Sequence, residues 1–296
     1  MSSSPLESVL WQVLANGVLS GAMHGLVALG FGIVYTTCRF LPISLSVSYI
    51  AAAYGAYALG TVISYPLALP LGVGLAVLLG LAFEASVFRR LGARSAPPEA
   101  GLIAALGLSV VGTAVASLAF GRETLVYELP SLRAVLVLGP LTLTAAQILA
   151  GTVAILSLGI VVAVMRTKHG LLLRATGEAP ELAEAFGVNL LRTRMMAAGL
   201  GACLVGIAGI LNAADTDMRP LMGFNALLYG LVAAVIAGRE SLFGYMIAGL
   251  LVGVLQHFGA WLLPAQWQDG VVFLLLFIIL VVRPQGIIAL RRGGGG

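Results

Sequence analysis

Residues 165–195 read MRTKHGLLLRATGEAPELAEAFGVNLLRTRM, a polar and basic island with long apolar runs on both sides. A bilayer core rejects charge, at roughly 2.5–3.5 kcal/mol for Asp, Lys or Arg at a helix centre. Gathering such residues into Arg166–Arg194 marks the flanks as membrane spans and the island as the loop between them. The loop is long enough to hold a helix of its own. Glu178 and Glu181 flank Pro180, which suits a first helical turn, where acidic charge complements the dipole. Leu182, Ala185 and Phe186 share one face at i, i+3 and i+4. Gly187 follows as a C-terminal cap. The sequence predicts a two-turn helix with an apolar face and basic flanks. Such a helix either lies on lipid headgroups or plugs a groove on a partner, and the residues leave both readings open.

Outward from the island, composition settles the class. The chain is 60% hydrophobic and 9% charged, against about 45–50% and 25% in soluble domains. Its 38 glycines suit membrane helices, where small residues let backbones approach. The fold class is an all-α polytopic membrane protein, a single transmembrane domain over 1–296 with its loop at 166–194. About 20 apolar residues cross a bilayer. That rule puts spans near 12–36, 43–65, 66–88, 101–120, 141–165, 194–213, 225–240, 243–263 and 267–282, about nine within a range of eight to ten. The start, Met1–Trp11, has neither a basic n-region nor a small-residue cleavage site, so no signal peptide is expected.

Positive charge orients the chain. With the island inside, the cytoplasm receives Arg39, Arg89, Arg90, Arg94, Arg166, Lys168, Arg174, Arg192, Arg194, Arg239, Arg283, Arg291 and Arg292. Only Arg122, Arg133 and Arg219 stay outside, so the N-terminus is expected out and the C-terminus in. The net charge of +4 is then this asymmetry and requires no nucleic acid partner. Gly293–Gly296 reads as a tail without function.

Several chemistries are disfavoured. The chain has one lysine, Lys168, with no Gly-Lys-Ser/Thr, so it carries no phosphate-cradling loop. Any ATP consumed belongs to another subunit, and no cofactor is expected on this one. Cys38 and Cys203 lie at or within apolar segments without metal-ligand spacing, so no metal site is read. Glu84, Glu99, Glu123, Glu128, Asp215, Asp217, Glu240 and Asp269 all fall at or near span ends, which weakens an ion-coupled carrier. Ser109, in Gly107-Leu108-Ser109-Val110, lacks the second glycine of an intramembrane hydrolase motif, and His24, His169 and His257 have no evident partner. Gly17, Gly21 and Gly25, and separately Gly249 with Gly253, repeat every four residues and form smooth helix faces, for packing or for lining a path. His24 lies mid-span beside the first of these, either satisfied by a neighbouring helix or on the substrate path with Asn16.

The stretch Thr176-Gly177-Glu178-Ala179-Pro180-Glu181-Leu182-Ala183-Glu184-Ala185-Phe186-Gly187-Val188-Asn189 resembles the EAA-type coupling loop of ABC importer permeases. It is most similar to that of the branched-chain amino acid type. Asn16-Gly17-Val18 through Ala28-Leu29-Gly30, Leu211 through Gly223, and Arg283-Pro284-Gln285-Gly286-Ile287 extend the resemblance over nearly the whole chain. Its length favours the shorter of the two permease subunits. The resemblance implies a non-enzymatic subunit in a bacterial inner (plasma) membrane, partnered by two ATPases, a second permease, an extracytoplasmic solute-binding protein and lipid. It implies that Arg174, Glu178, Glu181, Ala183, Glu184, Ala185, Phe186 and Gly187 meet an ATPase. Ala214–Gly223, with Asp215, Asp217 and Arg219, would face the binding protein or remain a solvated loop. Two stretches depart from the family pattern: Pro42-Ile43-Ser44-Leu45-Ser46 and Ala237-Gly238-Arg239-Glu240-Ser241-Leu242-Phe243-Gly244. In the first, Ser44, Ser46, Ser48 and Tyr49 offer hydroxyls to a polar solute or to their own helix backbone. The function implied is ATP-driven uptake of branched-chain amino acids or a related small polar solute. Urea or short amides, an ion-coupled carrier and a non-transporting scaffold are the competing readings.

Overall fold

The computed structural model describes residues 5–93, 97–127, 134–138, 141–238 and 242–264, with a few positions between 270 and 281. Most of the expected span at 267–282, the closing Arg283–Ile287 motif, the tail, and Arg94, Glu128, Arg133, Arg239, Glu240, Ser241, Asp269, Arg291 and Arg292 lie outside the described residues. The elements are helices α1 (Pro5–Cys38), α2 (Leu45–Gly60), α3 (Tyr65–Phe83), α4 (Arg89–Ala93), α5 (Pro98–Phe120), α6 (Ala145–Met165), α7 (Lys168–Glu178), α8 (Pro180–Ala185), α9 (Leu190–Asp215), α10 (Met222–Ala237) and α11 (Leu242–Leu262). A hairpin of β1 (Val135–Leu138) and β2 (Leu141–Thr144) precedes α6.

Among the described residues, six helices are long and apolar enough to cross a membrane: α1, the continuous α3–α4 run, α5, α6, α9 and α11. α2 and α10 have 16 residues each and pack inside the bundle. α1 is the central helix, with Leu26, Val27, Ala28, Leu29 and Phe31 fully buried. The outer faces of α5 and α6 expose Ile103, Val110, Leu118, Ile155 and Ile160. An apolar rim of that extent suits lipid rather than water.

The two glycine faces meet each other. α1 and α11 run antiparallel, with Gly17 against Val254, Gly21 against Leu250 and Gly253, and Gly25 against Met246 and Gly249. A methyl added at Gly21 would lie 2.6 Å from the Leu250 Cα. The packing alternative therefore holds for both faces, and neither lines a path.

Three expectations are corrected. The fifth span does not begin at 141, because Leu141–Thr144 is strand, paired from Val135↔Thr144 to Leu138↔Leu141. The β-branched alternation LTLT favours extended backbone, and helix begins only where Thr144 and Gln147 form a capping box. A strictly all-α chain is thus qualified by one small hairpin. Secondly, the island holds two helices, since α7 starts at the Thr167 cap, ahead of α8. Thirdly, the third span does not stop near 88. A π-turn over Glu84–Phe88 lets the helix continue to Ala93, which draws Glu84 inside it.

Candidate functional site

Two regions carry polar groups that the bundle does not need for its own packing. The first is the island end. Arg174, itself exposed, donates from Nη2 to the Met165 carbonyl at 3.1 Å, capping the last turn of α6. Arg39, in the left-handed region at φ 63°, donates to the Gly177 carbonyl. Gly177 lies directly on the Thr36 carbonyl, leaving no space for a side chain. α7 is thereby fastened to the ends of α1 and α6, and it presents α8 as a rigid projection.

α8 is built as its sequence predicts. Pro180 takes the first turn. At the other end Gly187 N donates to the Glu184 carbonyl at 2.8 Å and Val188 N to the Ala183 carbonyl at 3.0 Å. With Gly187 at φ 83°, this is a Schellman cap. Asn189 then accepts from Arg192 N at 3.0 Å and starts α9. Leu182 and Phe186 are 59% and 80% exposed, and Glu178, Glu181, Glu184, Ala185 and Gly187 are exposed around them. Ala183 is the exception among the expected contacts: it is only 6% exposed and turns toward its own chain.

The second region is a small crevice near the same end of the bundle, with room for about one water molecule. Val34, Phe40, Leu45, Phe83 and Phe88 supply apolar walls, and Ser44, Ser48 and Glu84 the polar ones. Glu84 is 1% exposed, and neither carboxyl oxygen has a hydrogen-bond partner. Glu84 lies five residues, about 7.5 Å, before the exposed Arg89 on the same continuous helix.

The expected path residues divide. Ser44 and Ser48 line this cavity. Ser46 faces away, bonded to Ser109 at 2.7 Å and to the Ile43 carbonyl at 2.8 Å. Tyr49 is buried against Gly209. Asn16 accepts from Gln12 at 3.2 Å. His24 bonds to Gln256 of α11 at 2.8 Å, beside the Tyr229 ring, so it is satisfied by a neighbouring helix. It sits ten residues, about 15 Å, along α1 from Val34 of the cavity wall.

At the opposite end, Met218 is fully buried and bridges to Leu125 through paired backbone bonds of 2.8 and 3.0 Å. Asp217 and Arg219 on either side are exposed. Asp215 accepts from the Thr144 hydroxyl at 3.2 Å, which ties α9 to the hairpin. Gln12 pairs with the Thr142 backbone at 2.7 and 2.8 Å. Asp217 and Arg219 thus project from a braced surface, whereas Asp215 is occupied within it.

Comparison with known proteins agrees with this architecture. The family model described as branched-chain amino acid transport system / permease component matches residues 13–280. The high-affinity branched-chain amino acid transport system permease protein BraD of Pseudomonas aeruginosa is 29% identical, with 94% of this chain and 95% of the relative covered. The permease protein LivH of Escherichia coli K12 is 27% identical, with 94% of each covered. The autoinducer 2 import system permease protein LsrC of Escherichia coli HS is 30% identical over 43% of this chain and 40% of its own length. No solved structure matches significantly. The chain belongs to the family of branched-chain amino acid transport permease components, multi-pass membrane subunits that are not enzymes.

Proposed function

We propose that this chain is a translocation subunit of an ATP-driven importer for branched-chain amino acids, and that α8 couples it to cytoplasmic ATPases. The observation that carries this reading is the exposed apolar pair Leu182 and Phe186 on a capped helix fastened to the membrane bundle. Large apolar side chains exposed between acidic neighbours favour a groove on a partner protein over bulk water. Glu178, Glu181, Glu184, Ala185 and Gly187 rim that contact, while Arg174 and Ala183 serve it from behind by holding α7 and α8 in place.

The orientation follows from charge. Arg39, Arg89, Arg90, Arg166, Lys168, Arg174, Arg192 and Arg194 gather at the island end, against Arg122 and Arg219 at the other. The positive-inside rule then turns α8 to the cytoplasm and the N-terminus out. About nine spans in one domain over 1–296 fit that orientation, in a bacterial inner membrane. Asp217 and Arg219 would meet an extracytoplasmic binding protein. A second permease subunit would complete the path.

Affinity purification of the chain from its native membrane tests the reading. Two ATPases and a second permease should accompany it. The double variant Leu182→Ser/Phe186→Ser should lose the ATPases while inserting at wild-type level, because both side chains are solvent-facing in the chain itself. Retention of the ATPases by that variant would remove α8 from the coupling role. An ion-coupled carrier draws support from Glu84 inside a membrane helix. Solute flux through the purified chain alone under an ion gradient would establish it.

A further inference from the structure

At the end of the bundle opposite the island, one aromatic side chain enters from outside the helices. α5 stops at Phe120, whose ring packs on that of Tyr54 of α2 at 4.7 Å. Gly121 then turns the chain at φ 83°, with no atom within 4 Å of an added methyl, a conformation that glycine adopts freely. The chain runs on through the exposed Arg122, Glu123 and Thr124 to Leu125, which pairs with Met218 through backbone bonds of 2.8 and 3.0 Å. Extended backbone alternates its faces. Met218 and Tyr127 are turned inward, at 0% and 1% exposed, while Thr124, Val126, Asp217 and Arg219 are turned out. Tyr127 donates its hydroxyl to the Ala53 carbonyl at 2.9 Å, and its ring meets those of Tyr57 and Tyr65 at 5.7 and 6.3 Å. Ala53 lies seven residues, about 10 Å, before Gly60, the last residue of α2. A side chain held by a loop therefore reaches well down the helix. The Ala53 carbonyl is inside α2 and already bonded in the helix ladder, so taking the hydroxyl away orphans no backbone group.

We propose that residues 121–127 are a strap that closes the extracytoplasmic mouth between α2 and α3 with Tyr127, and that a solute-binding protein docked on the outward side of the Leu125–Met218 bridge withdraws it. Gly121 is the hinge, since its backbone is free to turn and nothing packs against it. The bridge is the lever. Its two strands carry the docking residues on one side and the plug on the other, so a load on Asp217, Arg219, Thr124 and Val126 reaches Tyr127 through two residues of backbone. The footprint of the partner thereby extends from the loop after α9 onto the strap, where Arg122 and Glu123 add one charge of each sign. Withdrawal breaks one side-chain hydrogen bond and two ring contacts and leaves α2 whole. That suits a part that moves in every transport cycle, whereas a helix packed along its length has far more contact to lose. This inference rests on the orientation and docking reading above and deepens it.

The test uses the complex of this chain with its ATPases and second permease in proteoliposomes. Cys38 and Cys203 are replaced by alanine, and Ala53→Cys is the reporter, because Ala53 is fully buried and shares a face of α2 with Tyr57 beneath the plug. An impermeant thiol reagent is added on the side of the binding protein, and its reaction is read by peptide mass. Saturating leucine-loaded binding protein with ATP should speed the reaction at least tenfold. Tyr127→Ala should speed it as much with no binding protein present, and Tyr127→Phe, which keeps the ring, by less. An unchanged rate in Tyr127→Ala overturns the plug. A fast reaction in Tyr127→Ala, with no response of the parent to binding protein, overturns the docking trigger. Leucine uptake is measured in the same vesicles. Uptake with the rate unchanged in every arm sinks the strap and leaves the importer standing, whereas fast labelling of Tyr127→Ala where the parent takes up no leucine keeps the plug and sinks the importer. Independently, Leu125→Cys/Met218→Cys tests the lever, since a hydrogen-bonded antiparallel pair sits about 5.5 Å apart at Cα, within reach of a disulfide. Oxidation should leave uptake within twofold of the reduced protein, because the two strands move together. Loss of uptake on oxidation, restored by reduction, overturns the lever.

Discussion

Gly187 shows how much one residue holds at the island. Its φ of 83° is a conformation that costs an ordinary L-residue roughly 1–2 kcal/mol. It also closes two capping bonds, from its own N–H and from Val188. Gly187→Val should therefore unravel the end of α8 and misdirect Asn189, with little effect on the bundle beneath. The expected outcome is normal abundance in the membrane and at least a tenfold loss of uptake in vesicles. Normal uptake would mean that the cap geometry is irrelevant to coupling. Glu84 is the opposite case. Its neighbours in sequence read as a span nearing its end, and nothing local reports that a π-turn will carry the helix onward and enclose it.

At the scale of elements, the close approach of α1 and α11 decides how the bundle packs. Membrane helices gain little from the hydrophobic effect between themselves, and small residues compensate by bringing backbones together. Gly21→Ile forces its side chain into the Leu250 and Gly249 backbones. Overpacking of this kind costs about 1–3 kcal/mol. Gly107 on α5 has no atom within 4 Å of an added methyl, and replacing a helical glycine by alanine gains about 0.5–1 kcal/mol. Thermal unfolding of the purified chain in detergent should place Gly21→Ile below wild type and Gly107→Ala at or slightly above it. Equal midpoints for the two variants would show that the glycine seam does not govern packing.

Across the whole molecule, the basic end and the braced opposite end predict opposite access. In a chain with Cys38 and Cys203 replaced by alanine, a cysteine at Phe186 should react with an impermeant thiol reagent only in inside-out vesicles. One at Asp217 should react only in right-side-out cells. Both positions are exposed, so failure to react cannot be charged to burial. Reversal of the pair would invert the orientation and remove α8 from the reach of ATPases.

Residue chemistry along the chain was enough for much of this protein. Composition and the 20-residue apolar periodicity determined a helical membrane bundle. Pro180, Gly187 and the i, i+3, i+4 spacing determined α8, because capping and helical faces depend on neighbours within a few positions. The glycine repeats announced smooth faces, but only the tertiary structure decided that the two faces meet. Partner choice between helices more than 200 residues apart has no local signal. The same reason hid the Gln256 partner of His24, the hairpin brace at Gln12 and Asp215, and the inward turn of Ala183. It also hid the crevice, because Val34, Ser44, Glu84 and Ala198 come from three helices and a loop and converge only when the bundle closes.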